Sequence, residues 1–131
     1  MLSSLYEVNT PMMDQPKNHA AIKALINSYD LIRLPRQKED FLPYMLVREE
    51  YDLHLTLIRP IMTGLGQLDF FEMGGRLGEE DVYGYMATRR TGKSHCIYLI
   101  LARPNGFGKH LLEAFQSAVN HMFYLDAAQV Q

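Results

Sequence analysis

The sequence predicts a single α/β domain, in its α+β form, with a mainly antiparallel central sheet flanked by helices. Three observations carry that reading. "YDLHLTLI" (51–58) sets Leu53, Leu55 and Leu57 against Asp52, His54 and Thr56, the period of a half-buried strand. "VYGYMATRR" (82–90) and "HCIYLILAR" (95–103) flank "TGKS", whose Gly92 suits a hairpin turn. Near each end, apolar residues recur at helical spacing.

In chain order, "LYEVN" (5–9) alternates and predicts a short first strand, broken by the prolines of "TPMMDQP". Asp14 as N-cap and Pro16 in the first turn open a helix that aligns Ala21, Ile22, Leu25, Ile26 and Tyr29. "RLPRQKED" reads as a solvated charge cluster, and "EDFLPYMLVREEY" as a short helix followed by a strand. After the strand at 51–58, "QLDFFEM" predicts a strand entering a polar glycine-rich loop, "GGRLGEED". The run at 95–103 is apolar on successive residues, as a central strand covered on both faces requires. A last helix starts near Phe107 and buries Phe107, Leu111, Phe115, Ala118, Val119 and Met122. "FYLDAAQV" (123–130) predicts a final short strand.

Composition bounds the function. The 131 residues suit one domain, 1–131, with no room for a second core. A net charge of −2 offers no basic field for nucleic acid or an anionic membrane. The longest apolar runs, such as "CIYLILA" (96–102), fall far short of the roughly 20 residues that span a bilayer. The first ten residues lack a secretory pattern, so the expectation is a cytoplasmic protein. Cys96 is the lone cysteine and reads as a buried inert thiol. The five histidines show no metal-ligand spacing, so no metal is expected.

Two stretches invite a chemical reading. "ATRRTGKS" (87–94) fits a loose nucleotide-binding pattern, but a strand run follows Ser94 where the mechanism needs a helix, so it reads as a hairpin turn. "ILARPNGFGKHLLEAF" (100–115) is more informative. Arg103 ends a buried strand, Gly106 and Gly108 follow, and a helix starts at once. Such a junction exposes backbone N–H groups where the helix dipole favours an anion. Arg103 and Lys109 add positive charge beside them.

The spacing Arg-x-x-Gly-x-Gly followed by x-x-Leu-Leu resembles the acyl-CoA-binding motif of the GNAT superfamily of N-acyltransferases. "DVYGYMATRR" and "LDFFEM" are similar to two further strands of that family, and "YEVNTPMMDQPKNHAAIKALI" to its first strand and helix. The resemblance implies a short GNAT-like fold and an N-acyltransferase, or a CoA-binding relative, that uses acetyl-CoA or another acyl-CoA and acylates a small-molecule or protein amine. It also implies that the amides of Asn105, Gly106, Phe107, Gly108 and Lys109 meet the pyrophosphate, with Arg103 beside them. The strand end at Leu99 to Leu101 would align the pantetheine arm. A base is then needed, for which His95 is a candidate with Glu72 and Glu80 as rivals, and Tyr124 stands in for the family's acid.

The alternative is a non-enzymatic protein-interaction module: an adaptor, inhibitor or secretion-chaperone-like protein. Eight methionines and eight tyrosines would supply its contact surface, with a protein partner or a second copy as the ligand.

Overall fold

The computed structural model describes residues 12–14, 16–28, 30–37, 45–62, 66–90 and 96–130. Among the described residues seven strands form one sheet: β1 (Met12–Asp14), β2 (Leu31–Pro35), β3 (Met45–Arg48), β4 (Leu53–Ile61), β5 (Leu68–Leu77), β6 (Glu80–Arg89) and β7 (Cys96–Ala102). Helix α1 (His19–Ala24) lies between β1 and β2, and α2 (Lys109–Val130) follows β7. The sheet order is β1-β2-β7-β6-β5-β4-β3. β1 runs parallel to β2, and every other neighbouring pair is antiparallel.

Strict alternation divides the buried residues between two faces. On the inner face, Ile32, Leu34, Leu46, Leu53, Leu55, Met73, Val82, Met86, Ile97 and Leu99 form one cluster, into which α1 inserts Ile22. That cluster draws on both flanks of the sheet, which a flat sheet cannot do, so the sheet curls around it. Arg48 on β3 is 2% exposed and donates from Nη2 to the carbonyl of Pro35 on β2 at 3.1 Å, tying the two flanks together.

The outer face carries α2. Leu111, Phe115, Val119 and Phe123 repeat every fourth residue and pack over Phe70, Tyr85, Ala87, Tyr98 and Ile100. Phe115 meets Phe70 edge-on at 5.9 Å, and burial of each such side chain contributes ~1.5–3 kcal/mol. The far end of the helix is held by Asp126, which accepts from Arg33 and, at 2.5 Å, from the Tyr98 hydroxyl.

Several expectations are corrected here. The sheet is not substantially flanked by helices: the described residues form mostly one curled antiparallel sheet, with a single long helix on one face and a helix of six residues at the other, so the α/β class fits only loosely. The final strand at 123–130 is the end of α2, because Phe123 continues the apolar stripe and no glycine or proline interrupts 109–130. The first helix is capped by Asn18, not Asp14, and stops at Ala24. The start of the expected charge cluster, 33–35, instead completes strand β2: Leu34 is buried, while Arg33 points to the other face and pairs with Asp126. Gly74 and Gly75 lie inside β5, and the loop shrinks to the turn Gly78–Glu79. The strand expected at 5–9 and Tyr29 lie outside the described residues.

The strands at 53–61, 68–77, 80–89 and 96–102 form where alternation and apolar runs place them. Residues 91–95 are not described, but Ala87 pairs antiparallel with Tyr98, so a strand follows "TGKS" as the hairpin reading requires. Among the described residues no helix is long and apolar enough to cross a membrane.

Candidate functional site

The junction between β7 and α2 has the expected order: strand end, a 3-10 turn over Pro104–Gly106, then the helix from Lys109. Three of its amides are engaged within the protein. The Arg103 N–H donates to Asn27 Oδ1 at 2.9 Å, Gly106 N–H to the Arg103 carbonyl at 2.8 Å, and Phe107 N–H to the Pro104 carbonyl at 3.4 Å. Pro104 has no N–H to offer. A Cβ on Gly106 would lie 2.3 Å from Asn27 Oδ1, so this glycine makes room for the asparagine side chain. Gly108 has open space beside it, and Asn105 and Lys109 are exposed.

Of the positive charge expected here, Arg103 is committed: its Nε lies 3.3 Å from Glu80 Oε1, and Lys23 Nζ lies 3.9 Å from the other oxygen of that carboxylate. Leu99 and Leu101 are fully buried; Leu99 pairs with Met86 on one side and Ile32 on the other. Leu101 pairs with Gly84, and its carbonyl accepts from the Asn27 N–H at 3.1 Å. The strand end is thus hydrogen-bonded on both edges, with no splayed backbone to align a pantetheine arm.

Among the described residues, the candidate acids and bases Glu72, Glu80 and Tyr124 sit on three different elements. His95 lies outside the described residues. Glu80 sits at the β5–β6 turn in its ion pairs. Tyr124 is exposed on α2, fifteen residues beyond Lys109, or about 22 Å along the helix axis. Cys96 is half-buried, 3.9 Å from Asp126 Oδ2, rather than sealed in the core. Among the described residues, no group of three His, Cys, Asp or Glu is placed to hold a metal ion.

Two of the predicted residues, Glu72 and Phe107, each adjoin Tyr85 on the outer face. Cross-strand pairing lines up Met45, Thr56, Gly74 and Tyr83 in one row, and Arg59, Glu72 and Tyr85 in the next. Phe107 stacks on Tyr85 at 5.1 Å and tilts against Tyr83 at 5.4 Å. Burial, and secondarily the Glu72 charge, push the Tyr85 phenol above its usual range. Gly74 forms the floor: a Cβ there would lie 2.9 Å from Ile58 Cδ1 and 3.1 Å from the Tyr83 ring. Met45 and Ile58 are both about half exposed, at 56% and 47%.

A register shift between Leu57 and Arg59 builds this strip. Leu57 faces inward opposite Met73, and the bulge then turns Arg59 outward opposite Glu72. Ile58 and Arg59 therefore both reach the outer face. Alternation alone sent 51–58 to a simple strand and missed Met45, Ile58, Arg59 and Tyr83. The available signal was "LIRPIM", where the apolar phase of β4 breaks before Pro60.

No protein-family model matches the chain, and neither a curated protein nor a solved structure matches it at significance.

Proposed function

We propose that the protein is a non-enzymatic interaction module whose docking surface is the uncovered outer strip of β3, β4 and β5. The observation that carries this reading is the exposure of Met45 and Ile58 beside Tyr83 and Phe107, over a floor made by Gly74. Aliphatic side chains left half in water on a rigid sheet are a surface that gains by being covered. The sheet already binds one amphipathic helix, α2, on the adjoining half of the same face. β3 and β4, with the part of β5 beyond α2, lie at ~4.8 Å spacing and give a width that suits one more helix of ~10 Å diameter.

Acyl transfer is the weaker alternative. The junction that would hold the diphosphate spends the amides of Arg103, Gly106 and Phe107 on internal bonds. The strand end that would hold the pantetheine is paired on both sides.

The test compares the wild type with Ile58→Glu, which places a charge on the strip without touching either core. Affinity recovery from native cells should yield a stoichiometric protein partner with the wild type and lose it with Ile58→Glu, while Tyr124→Glu retains it. Millimolar acetyl-CoA should leave the melting temperature unchanged. A rise of several degrees, as a ligand at 100 times its Kd produces for a domain this size, would instead favour the CoA-binding reading.

A further inference from the structure

Resting on that reading, we infer that Glu72 is the polar anchor of the strip and that the docked segment carries a basic side chain, lysine or arginine, among its apolar residues. Glu72 is 8% exposed, yet it lies on the same face as Ile58 and Tyr83, one row from Gly74. A carboxylate this buried needs compensation. It receives one contact: Arg59 Nε donates to Oε1 at 3.2 Å. The Arg59 side chain is 69% exposed and meets the carboxylate at a single point instead of through its two-pronged fork. Glu72 Oε2 receives no hydrogen bond among the described residues and is not sealed from solvent, so an incoming group can reach it. The neighbouring Tyr85 hydroxyl keeps its proton and lends no positive charge.

This arrangement selects for charge. An apolar strip with one singly paired carboxylate in its wall discriminates a segment with a cationic tip from one of the same shape without it. The aliphatic stem of a lysine or arginine suits the surface of Ile58 and the Tyr83 ring on the way to Oε2. The ring faces add a favourable site for a cation.

Two short fluorescein-labelled amphipathic helical peptides test the inference, sharing one leucine stripe and carrying lysine or glutamine at the polar positions. Anisotropy titrations at physiological salt should show the lysine peptide binding about ten-fold tighter to the wild type, the worth of one hydrogen bond to a charged group. Glu72→Gln should abolish that preference. Arg59→Gln, which removes the carboxylate's present partner, should strengthen the lysine peptide. An undiminished preference in Glu72→Gln, or weaker lysine-peptide binding in Arg59→Gln, overturns the anchor. If both peptides bind the wild type equally and both are lost in Ile58→Glu, the anchor falls while the docking strip stands. If Ile58→Glu changes the binding of neither peptide, the strip falls and takes the anchor with it.

Discussion

The side-chain oxygen of Asn27 accepts the backbone N–H of Arg103 at 2.9 Å, and the backbone N–H of Asn27 donates to the carbonyl of Leu101 at 3.1 Å. One residue thus hydrogen-bonds the strand on either side of Ala102, where the chain leaves the sheet for α2. Asn27 adopts a left-handed φ of 65°, which asparagine tolerates better than most residues. The pair clasps the start of the loop that reads as an anion site in the sequence.

Gly106→Ala should therefore destabilise the fold, because its Cβ would meet Asn27 Oδ1, and Asn27→Ala should do so by leaving the Arg103 N–H without its acceptor. Each is expected to cost about 1–3 kcal/mol, or several degrees of melting temperature. Gly108→Ala, with open space at its Cβ, should stay within about 1 kcal/mol of the wild type. Thermal denaturation of the three variants checks the order.

Stability should fall at alkaline pH. Burial, and next the hydrogen bond to Asp126, push the Tyr98 phenol far above its usual 10.0. The unfolded chain then releases a proton near pH 10 that the folded chain retains. The stabilisation is complete below that pH and is lost above it, at up to about 1.4 kcal/mol per pH unit. Tyr51 and Tyr85 are shifted the same way. Urea midpoints of the wild type and Tyr98→Phe across that range should show a shallower decline in the variant.

Arg48→Ala should destabilise by about 2–4 kcal/mol, since it removes a buried side chain that packs in the inner core and joins β3 to the Pro35 carbonyl. Arg48→Met, which keeps the packing stem, should recover part of the loss. Equilibrium unfolding separates the two.

Phe115→Ala should cost about 3–5 kcal/mol, because the ring is fully buried between Phe70 and Tyr85. Tyr124→Ala on the exposed side of the same helix should fall within about 0.5 kcal/mol of the wild type. Chemical denaturation of the pair measures how firmly α2 is bound.

Where a side-chain period and a turn signal agreed, the sequence was legible. Leu53 and Leu55 face the core while His54 and Thr56 are exposed, as alternation requires. Leu111, Phe115 and Val119 are buried on α2 as their spacing requires. It failed where a long-range partner decides the outcome. Arg33 looks like surface charge until Asp126, 93 residues away, comes to meet it. Gly106 looks like an opening for a ligand until Asn27 fills the space. Of the candidate site, Glu72 and Phe107 were legible as residues, but their meeting through Tyr85 depends on sheet register and on the bulge at Leu57/Arg59. Both are set by pairing that no local window contains.

The most direct test of the docking strip is hydroxyl-radical footprinting of the methionines, read by mass spectrometry, on the free protein and on its complex with the co-purified partner. Met45 is exposed on the strip, whereas Met73 and Met86 are sealed in the inner core and report that the fold is intact. The expected result is strong oxidation of Met45 in the free protein and protection in the complex, with Met73 and Met86 unreactive in both. Equal oxidation of Met45 in both states, in a complex that remains stoichiometric, would contradict the assignment of this face.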